Sequence, residues 1–161
     1  MNPALLTRTP SAMPDIVVLD SCVFNKIFLL EDDRSDAIEF LDFARTSDLR
    51  LVAPSLFLYE VLAVAAPSPF GAEAALGLIR EFQNAGFEIT DLNDETVKQA
   101  IVIANSGHQK TGFPTFYDSS YHALALEIGG IFLTSDAKHL AKAASHGSVV
   151  LLRDWKARLN K

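Results

Sequence analysis

Short apolar runs alternate with stretches of helical spacing along almost the whole chain. Asp15 to Leu19 (DIVVL) reads as a buried strand that runs into Asp20, and Asp20 or Ser21 can cap the helix after it. Cys22 to Leu30 is apolar and predicts a helix ending in the acidic turn Glu31-Asp32-Asp33. Ser35 opens a second helix, with Ile38, Leu41, Phe43 and Ala44 on its apolar face, and Arg50 to Ala53 predicts a second strand. Pro54-Ser55 starts a strongly apolar helix, LFLYEVLAVAA, closed by Pro67 and Pro69. Ala72 to Ala85 predicts a helix stopped by Gly86, and Phe87 to Thr90 a third strand. Asn93 or Asp94 caps a helix that runs to about Asn105, with a polar loop from Ser106 to Thr115 beyond it. A helix begins at Asp118 with Ala123 and Leu126, and more loosely Ala125 and Ile128, on its buried face, and Gly129-Gly130 ends it. Ile131 to Leu133 predicts a buried strand ending in Thr134-Ser135-Asp136. A helix from Lys138 to Ala144, a strand from Val149 to Leu151 and a short terminal helix complete the pattern.

Strands and helices in alternation imply an α/β fold, a three-layer α/β/α sandwich with a mostly parallel central sheet. Residues 1–14, with three prolines, read as a flexible lead-in, and residues 15–161 as one domain of ordinary size. Met13 is an alternative start. Hydrophobic residues make up 49% of the 161 and charged ones 21%, which excludes a disordered chain. No apolar run reaches the roughly 18–20 residues that span a bilayer, and the N-terminus lacks the apolar core of a secretory signal. A single cysteine, Cys22, rules out an internal disulfide and suits a reducing, cytoplasmic compartment.

The net charge of −6 excludes a generally basic nucleic-acid glove. The charge is uneven: residues 136–161 carry +4 and residues 1–135 carry −10. An acidic body with a basic flank can hold metal in one place and phosphate in another; a solvated terminal helix explains the flank equally well.

Four carboxylates stand out by context. Asp20 comes directly after an apolar strand, and Glu60 is the only charge between Leu51 and Pro69. Asp118 opens a helix and Asp136 closes a strand. An isolated buried carboxylate takes up a proton or finds a partner, and no lysine or arginine adjoins these four in sequence. A divalent cation satisfies several such acids at once, and hard oxygen ligands suit magnesium or manganese. Taken singly, Asp20, Asp118 and Asp136 can each be a helix cap, and Glu60 can lie on a narrow solvent stripe.

The segments VVLDSCV around Asp20, PSLFLYEVLA around Glu60, YDSSYHALAL around Asp118 and IFLTSDAKHL around Asp136 resemble, in this order, the PIN-domain family. The resemblance extends from about Ile16 to Leu152 and is nearest to the VapC-like toxins of toxin–antitoxin pairs. It implies a PIN-like sandwich and a Mg2+- or Mn2+-dependent endoribonuclease that hydrolyses RNA phosphodiester bonds. Asp20, Glu60, Asp118 and Asp136 are then catalytic, with Asp20, Asp118 and Asp136 holding metal and Glu60 binding a second ion or orienting water. Ser21 and Thr134 fix carboxylate rotamers by hydrogen bonds. The implied partners are RNA, a cognate antitoxin and a second copy of the chain, with no membrane. The apolar helix from Leu56 to Ala66, with Phe70, offers the antitoxin or dimer surface.

His108, Lys110, Lys138, His139 and Lys142 are candidate contacts to RNA phosphates. His122, one turn after Asp118, either touches the site or bonds a neighbouring group. Phe113, Phe116 and Tyr117 can stack on unpaired bases, but core packing is the expectation for at least two of them. Cys22 reads as a small hydrophobe. Three other functions remain open at this point: a housekeeping PIN ribonuclease, a PIN-like module that binds without cutting, and a receiver-type phosphoacceptor, which also carries acids at strand ends.

Overall fold

Val17, Val18 and Leu19 are completely buried because β1 (Ile16–Leu19) is the middle strand of a five-stranded sheet. The computed structural model describes residues 15–159, so the expected lead-in at 1–14 lies outside the described residues. Around β1 stand β2 (Arg50–Pro54), β3 (Glu88–Thr90), β4 (Ile131–Thr134) and β5 (Val149–Leu151), in the order β3-β2-β1-β4-β5. Every pairing is parallel, with Val17 opposite both Leu51 and Ile131. The receiver-type alternative requires the order 2-1-3-4-5, so this topology excludes it.

Parallel neighbours need crossovers, and right-handed crossovers put helices on both faces. Moving outward from β1 to β3, the chain passes through α1 (Ser21–Asn25), α2 (Arg34–Thr46), α3 (Leu56–Ala65) and α4 (Ala72–Asn84). The return to β4 and on to β5 uses α5 (Asp94–Ala104), α6 (Phe116–Glu127) and α7 (Ala137–Ala143), and α8 (Trp155–Leu159) comes last. The main core joins the sheet to α1–α4 through Phe24, Phe57 and Phe82; the Phe24 ring meets each of the other two edge to face at 5.4 Å. A smaller cluster of Ala100, Ile103, Ala123 and Ala143 packs α5, α6 and α7 together.

Two helices differ from their sequence expectation. The helix expected from Cys22 to Leu30 ends at Asn25, and tight three-residue turns carry the chain on, with Ile27 N bonded to Phe24 O at 3.0 Å. Lys26 causes the break. It is 4% exposed, and its ammonium pairs with Glu31 and with Asp33 at 2.7 Å, folding the acidic turn back onto the helix end. Arg34 secures the same turn through Ile27 O at 2.8 Å. The second difference is α6, which has no single buried face: residues 119–125 are all buried. Tyr121, Leu124 and Ala125 pack on the sheet core while Ala123 faces α5 and α7, so the helix is enclosed between layers. Its serines fit there because Ser119 and Ser120 bond back to the carbonyls of Thr115 and Phe116 at 2.6 and 2.8 Å.

After α6 the chain must turn sharply into β4. Gly129 takes φ +67°, the left-handed cap, and a Cβ on Gly130 would lie 2.7 Å from Ile16 O. This close approach lets β4 pair beside β1. No described helix is long and apolar enough to cross a membrane.

Candidate active site

In an open parallel sheet, ligands gather beyond the carboxyl ends of the strands where the strand order reverses. Here that point lies between β1 and β4, because β2 continues to one side of β1 and β4 to the other. Asp20 comes directly after β1, and Thr134 ends β4. The backbone N–H of Asp20 donates to Leu133 O at 3.0 Å, so the two strand ends are locked together.

Asp20 is 4% exposed and uses both oxygens. Oδ1 caps α1 by accepting from Cys22 N at 3.1 Å, with Ser21 Oγ at 3.4 Å, and Oδ2 accepts from Thr134 Oγ1 at 2.5 Å. Burial raises its pKa to about 6, opposed by the bonds from Thr134 and Cys22 N and assisted by the charge of Asp118. The Thr134 hydroxyl has a second task. It accepts from Asp136 N at 2.9 Å, tying Asp20 to the segment that presents Asp136. Asp136 in turn caps α7 through Lys138 N at 2.8 Å.

Asp118 does not cap its helix, contrary to one reading of the sequence. Thr115 is the cap, accepting from Asp118 N at 3.1 Å and donating its hydroxyl to Asp118 Oδ2 at 2.8 Å. The carboxylate is thus fixed in the first turn through one oxygen. Burial raises the Asp118 pKa; the Thr115 bond and Lys142 lower it, and Asp136 raises it further. Glu60, on α3, accepts from Tyr121 Oη at 2.5 Å. Its pKa is raised by burial and by Asp118, against bonds from Tyr121 and Ser21.

The charge of Asp118 raises the pKa values of Asp20 and Glu60, after the larger effect of burial, and the charge of Asp136 acts on Asp118 in the same direction. No lysine or arginine forms an ion pair with any of the four among the described residues. Lys142 comes nearest in effect, with Nζ on Phe113 O at 3.3 Å. The donor set suits a hard divalent cation: oxygens only, mutually repelling, three of them held above their ordinary pKa and short of positive partners. The group is open rather than closed, because among the described residues no three His, Cys, Asp or Glu side chains already stand close enough to form a metal cage.

The remaining sequence candidates divide sharply. Ser21 is buried, its hydroxyl donates to Asp20 Oδ1 at 3.4 Å, and it lowers the pKa of Glu60. His108 and Lys110 lie in the loop before α6, where His108 Nδ1 accepts from Lys110 N at 3.1 Å, and both are exposed. Lys138 is exposed at the start of α7. His139 is corrected: it is 2% exposed and bonds His122 at 3.1 Å, so no phosphate can reach it. His122 does not enter the site either. Its Nε2 meets Gly147 O at 2.6 Å, and since a carbonyl only accepts, that nitrogen carries the proton. The expectation of core packing for two aromatics also fails: Phe113, Phe116 and Tyr117 are 49%, 45% and 64% exposed. Burial and the Asp20 charge push the Cys22 thiol pKa up, which suits packing and not attack.

Two residues escaped the sequence reading, Thr115 and Tyr121. Thr115-x-x-Asp118 has the spacing of a capping box, a signal present in the sequence. Tyr121 stands three residues after Asp118, one helical turn on, and nothing in the sequence alone marks its hydroxyl.

A family model described as the PIN domain matches residues 17–159. Among solved structures, PAE2754 from Pyrobaculum aerophilum is 20% identical over 92% of this chain and 96% of its own, with a TM-score of 0.58. The DNA-bound VapBC of Salmonella typhimurium is 16% identical over 86% of this chain and 97% of its own, with a TM-score of 0.60. VapC20 of Mycobacterium tuberculosis, described as a sarcin–ricin-loop-cleaving toxin, is 13% identical over 83% and 96%, with a TM-score of 0.57. At these identities the likeness is one of fold. No curated protein matches the sequence.

Proposed function

The chain belongs to the PIN domain family, and from that membership we propose that it is a Mg2+- or Mn2+-dependent endoribonuclease, the toxin of a toxin–antitoxin pair. One observation carries the reading: at the switch point of the sheet Thr134 ties Asp20 to the Asp136 backbone, the charge of Asp118 bears on Asp20 and Glu60, and none of these four acids has an ion-pair partner among the described residues. Asp20, Asp118 and Asp136 would hold the cation, and Glu60 would take a second one or orient water. A bound divalent ion supplies a water of lowered pKa and neutralises charge on the scissile phosphate.

The protein's own residues do the rest. Thr134 holds Asp20 and the Asp136 backbone in one frame, so the two strand-end acids keep a fixed relation. Thr115 fixes Asp118 in the same way. Glu60 is the group suited to receive a proton from attacking water, since burial and Asp118 hold its pKa above the ordinary carboxylate value. Lys142 lies where it attracts phosphate toward Asp118, with Lys138, Lys110 and His108 as outlying contacts. The exposed rings of Phe113, Phe116 and Tyr117 precede and enter the helix that carries Asp118, a placement suited to stacking on unpaired bases.

The antitoxin surface is read from α3. Tyr59 is 71% exposed beside Glu60, Val64 is 37% exposed, and Leu30 and Phe70 are 94% and 39% exposed. An apolar surface on the helix that also carries Glu60 suits a protein partner, antitoxin or second copy, that masks the site while it is bound. In support, the fold is shared with VapBC of Salmonella typhimurium, a structure described as DNA-bound. The test is an RNA cleavage assay with Mg2+ or Mn2+. Wild-type protein should cut, and Asp20→Ala should not while keeping its circular dichroism spectrum. Full activity of that variant, or undiminished cleavage in excess EDTA, would refute the proposal.

A further inference from the structure

Tyr121 is fully buried, yet its hydroxyl reaches the carboxylate group. Its ring stacks on Phe132 at 5.6 Å and 15°, and Phe132 is itself fully buried in β4, so the phenol has no freedom to swing away. The hydroxyl donates to Glu60 Oε2 at 2.5 Å across 61 positions of sequence. Glu60 belongs to the α1–α4 half of the chain and Tyr121 to the α5–α7 half, so this bond ties the two halves together beside Asp20. Without it Glu60, a three-bond side chain on a partly exposed helix, would sample several rotamers. Burial and the nearby Glu60 push the phenol pKa well up, so the group stays a donor at every working pH.

We propose that Tyr121 is a positioning residue for the cleavage reaction, holding the Glu60 carboxylate in one orientation through its hydroxyl. The inference rests on the ribonuclease reading, and assigns to Tyr121 a part in the chemical step rather than in RNA binding. A tyrosine that merely satisfied its own hydroxyl would affect stability but leave turnover per folded molecule intact.

The test is Tyr121→Phe, which keeps the ring on Phe132 and removes only the hydroxyl. Single-turnover and steady-state cleavage of one RNA oligonucleotide are measured beside wild type, Glu60→Gln and the double variant. The expected result is a fall in kcat of about tenfold, the usual scale for a supporting hydrogen bond, with KM unchanged within about twofold, a split that marks an interaction made in the transition state. The double variant should be no slower than Glu60→Gln alone, because both changes remove one interaction. Independently of activity, the Glu60 carboxyl resonance of 13C-glutamate-labelled protein, assigned by its loss in Glu60→Gln, should move in Tyr121→Phe. Wild-type protein that cleaves while Tyr121→Phe keeps its kcat, or loses it additively with Glu60→Gln, overturns this inference alone. An unmoved Glu60 resonance also overturns it. Wild-type protein that cleaves no RNA overturns the ribonuclease reading, and this inference with it.

Discussion

Helix α6 carries two polar clusters of opposite character. Successive residues on a helix point about 100° apart, so from neighbouring positions Tyr121 turns toward Glu60 while His122 turns toward α7. The histidine side is bonded except at one atom, His139 Nδ1, which is buried without a hydrogen-bond partner. His122 Nε2 donates to Gly147 O, and His122 Nδ1 is left to accept from His139 Nε2, so the His122 ring is neutral. Burial lowers both pKa values to about 4. The carboxylate side is unfinished: burial, with the charge of a neighbouring carboxylate, raises the pKa values of Asp20, Glu60 and Asp118, and no lysine or arginine forms an ion pair with them among the described residues. Polar groups that satisfy each other build structure, whereas polar groups left in mutual conflict wait for a ligand.

The largest expected effect tests that division directly. Asp118→Asn keeps the helix cap at Thr115 but removes the charge common to the other three acids. Cleavage should fall about a thousandfold, the several kcal/mol that metal-assisted charge stabilisation supplies. His122→Ala should do the reverse. It should cost about 2–4 kcal/mol of stability, as expected for truncating a buried hydrogen-bonded ring, measured by urea unfolding, with cleavage per folded molecule unchanged.

The two clusters also respond oppositely to pH. A group whose folded pKa is depressed loses stabilisation as pH falls. Hence His122 and His139 should destabilise the protein as pH drops from their ordinary value of 6.5 to about 4. Asp20 is raised from 3.8 to about 6, so its burial is tolerated below 3.8 and opposes folding increasingly as pH rises to about 6. In metal-free protein at about pH 7.5, Asp20→Asn, which keeps a capping oxygen, should stabilise by about 2–3 kcal/mol, and the gain should vanish near about pH 4. Thermal melts across pH check the sign. Thr134→Val, the smallest effect, should lower cleavage about tenfold by freeing Asp20; an unchanged rate would remove Thr134 from the frame.

Much of this was legible in the sequence. Four strands showed as apolar runs, β3 only as a short mixed stretch after Gly86, and Asp20, Thr134 and Asp136 showed as polar groups where such runs stop. The all-parallel sheet and the receiver-excluding strand order needed the pairing itself, because local patterns carry no order. The early end of α1 depends on Lys26 meeting Glu31 and Asp33, an ion pair that apolar periodicity does not register. Periodicity likewise failed on α6, because a helix enclosed on several sides has no face to reveal. Phe113, Phe116 and Tyr117 went the other way: at least two of them were expected inside, and all three are exposed. The Tyr121–Glu60 contact joins residues 61 positions apart, and only the fold brings them together.

The most direct measurement is a calorimetric titration of the protein with Mn2+ in the absence of RNA. The expected result is saturable binding by wild type and by His122→Phe, weakened at least about tenfold in Asp118→Asn. Equal binding by wild type and Asp118→Asn, or no binding by wild type, would contradict the assignment of the carboxylate cluster as the metal-binding centre.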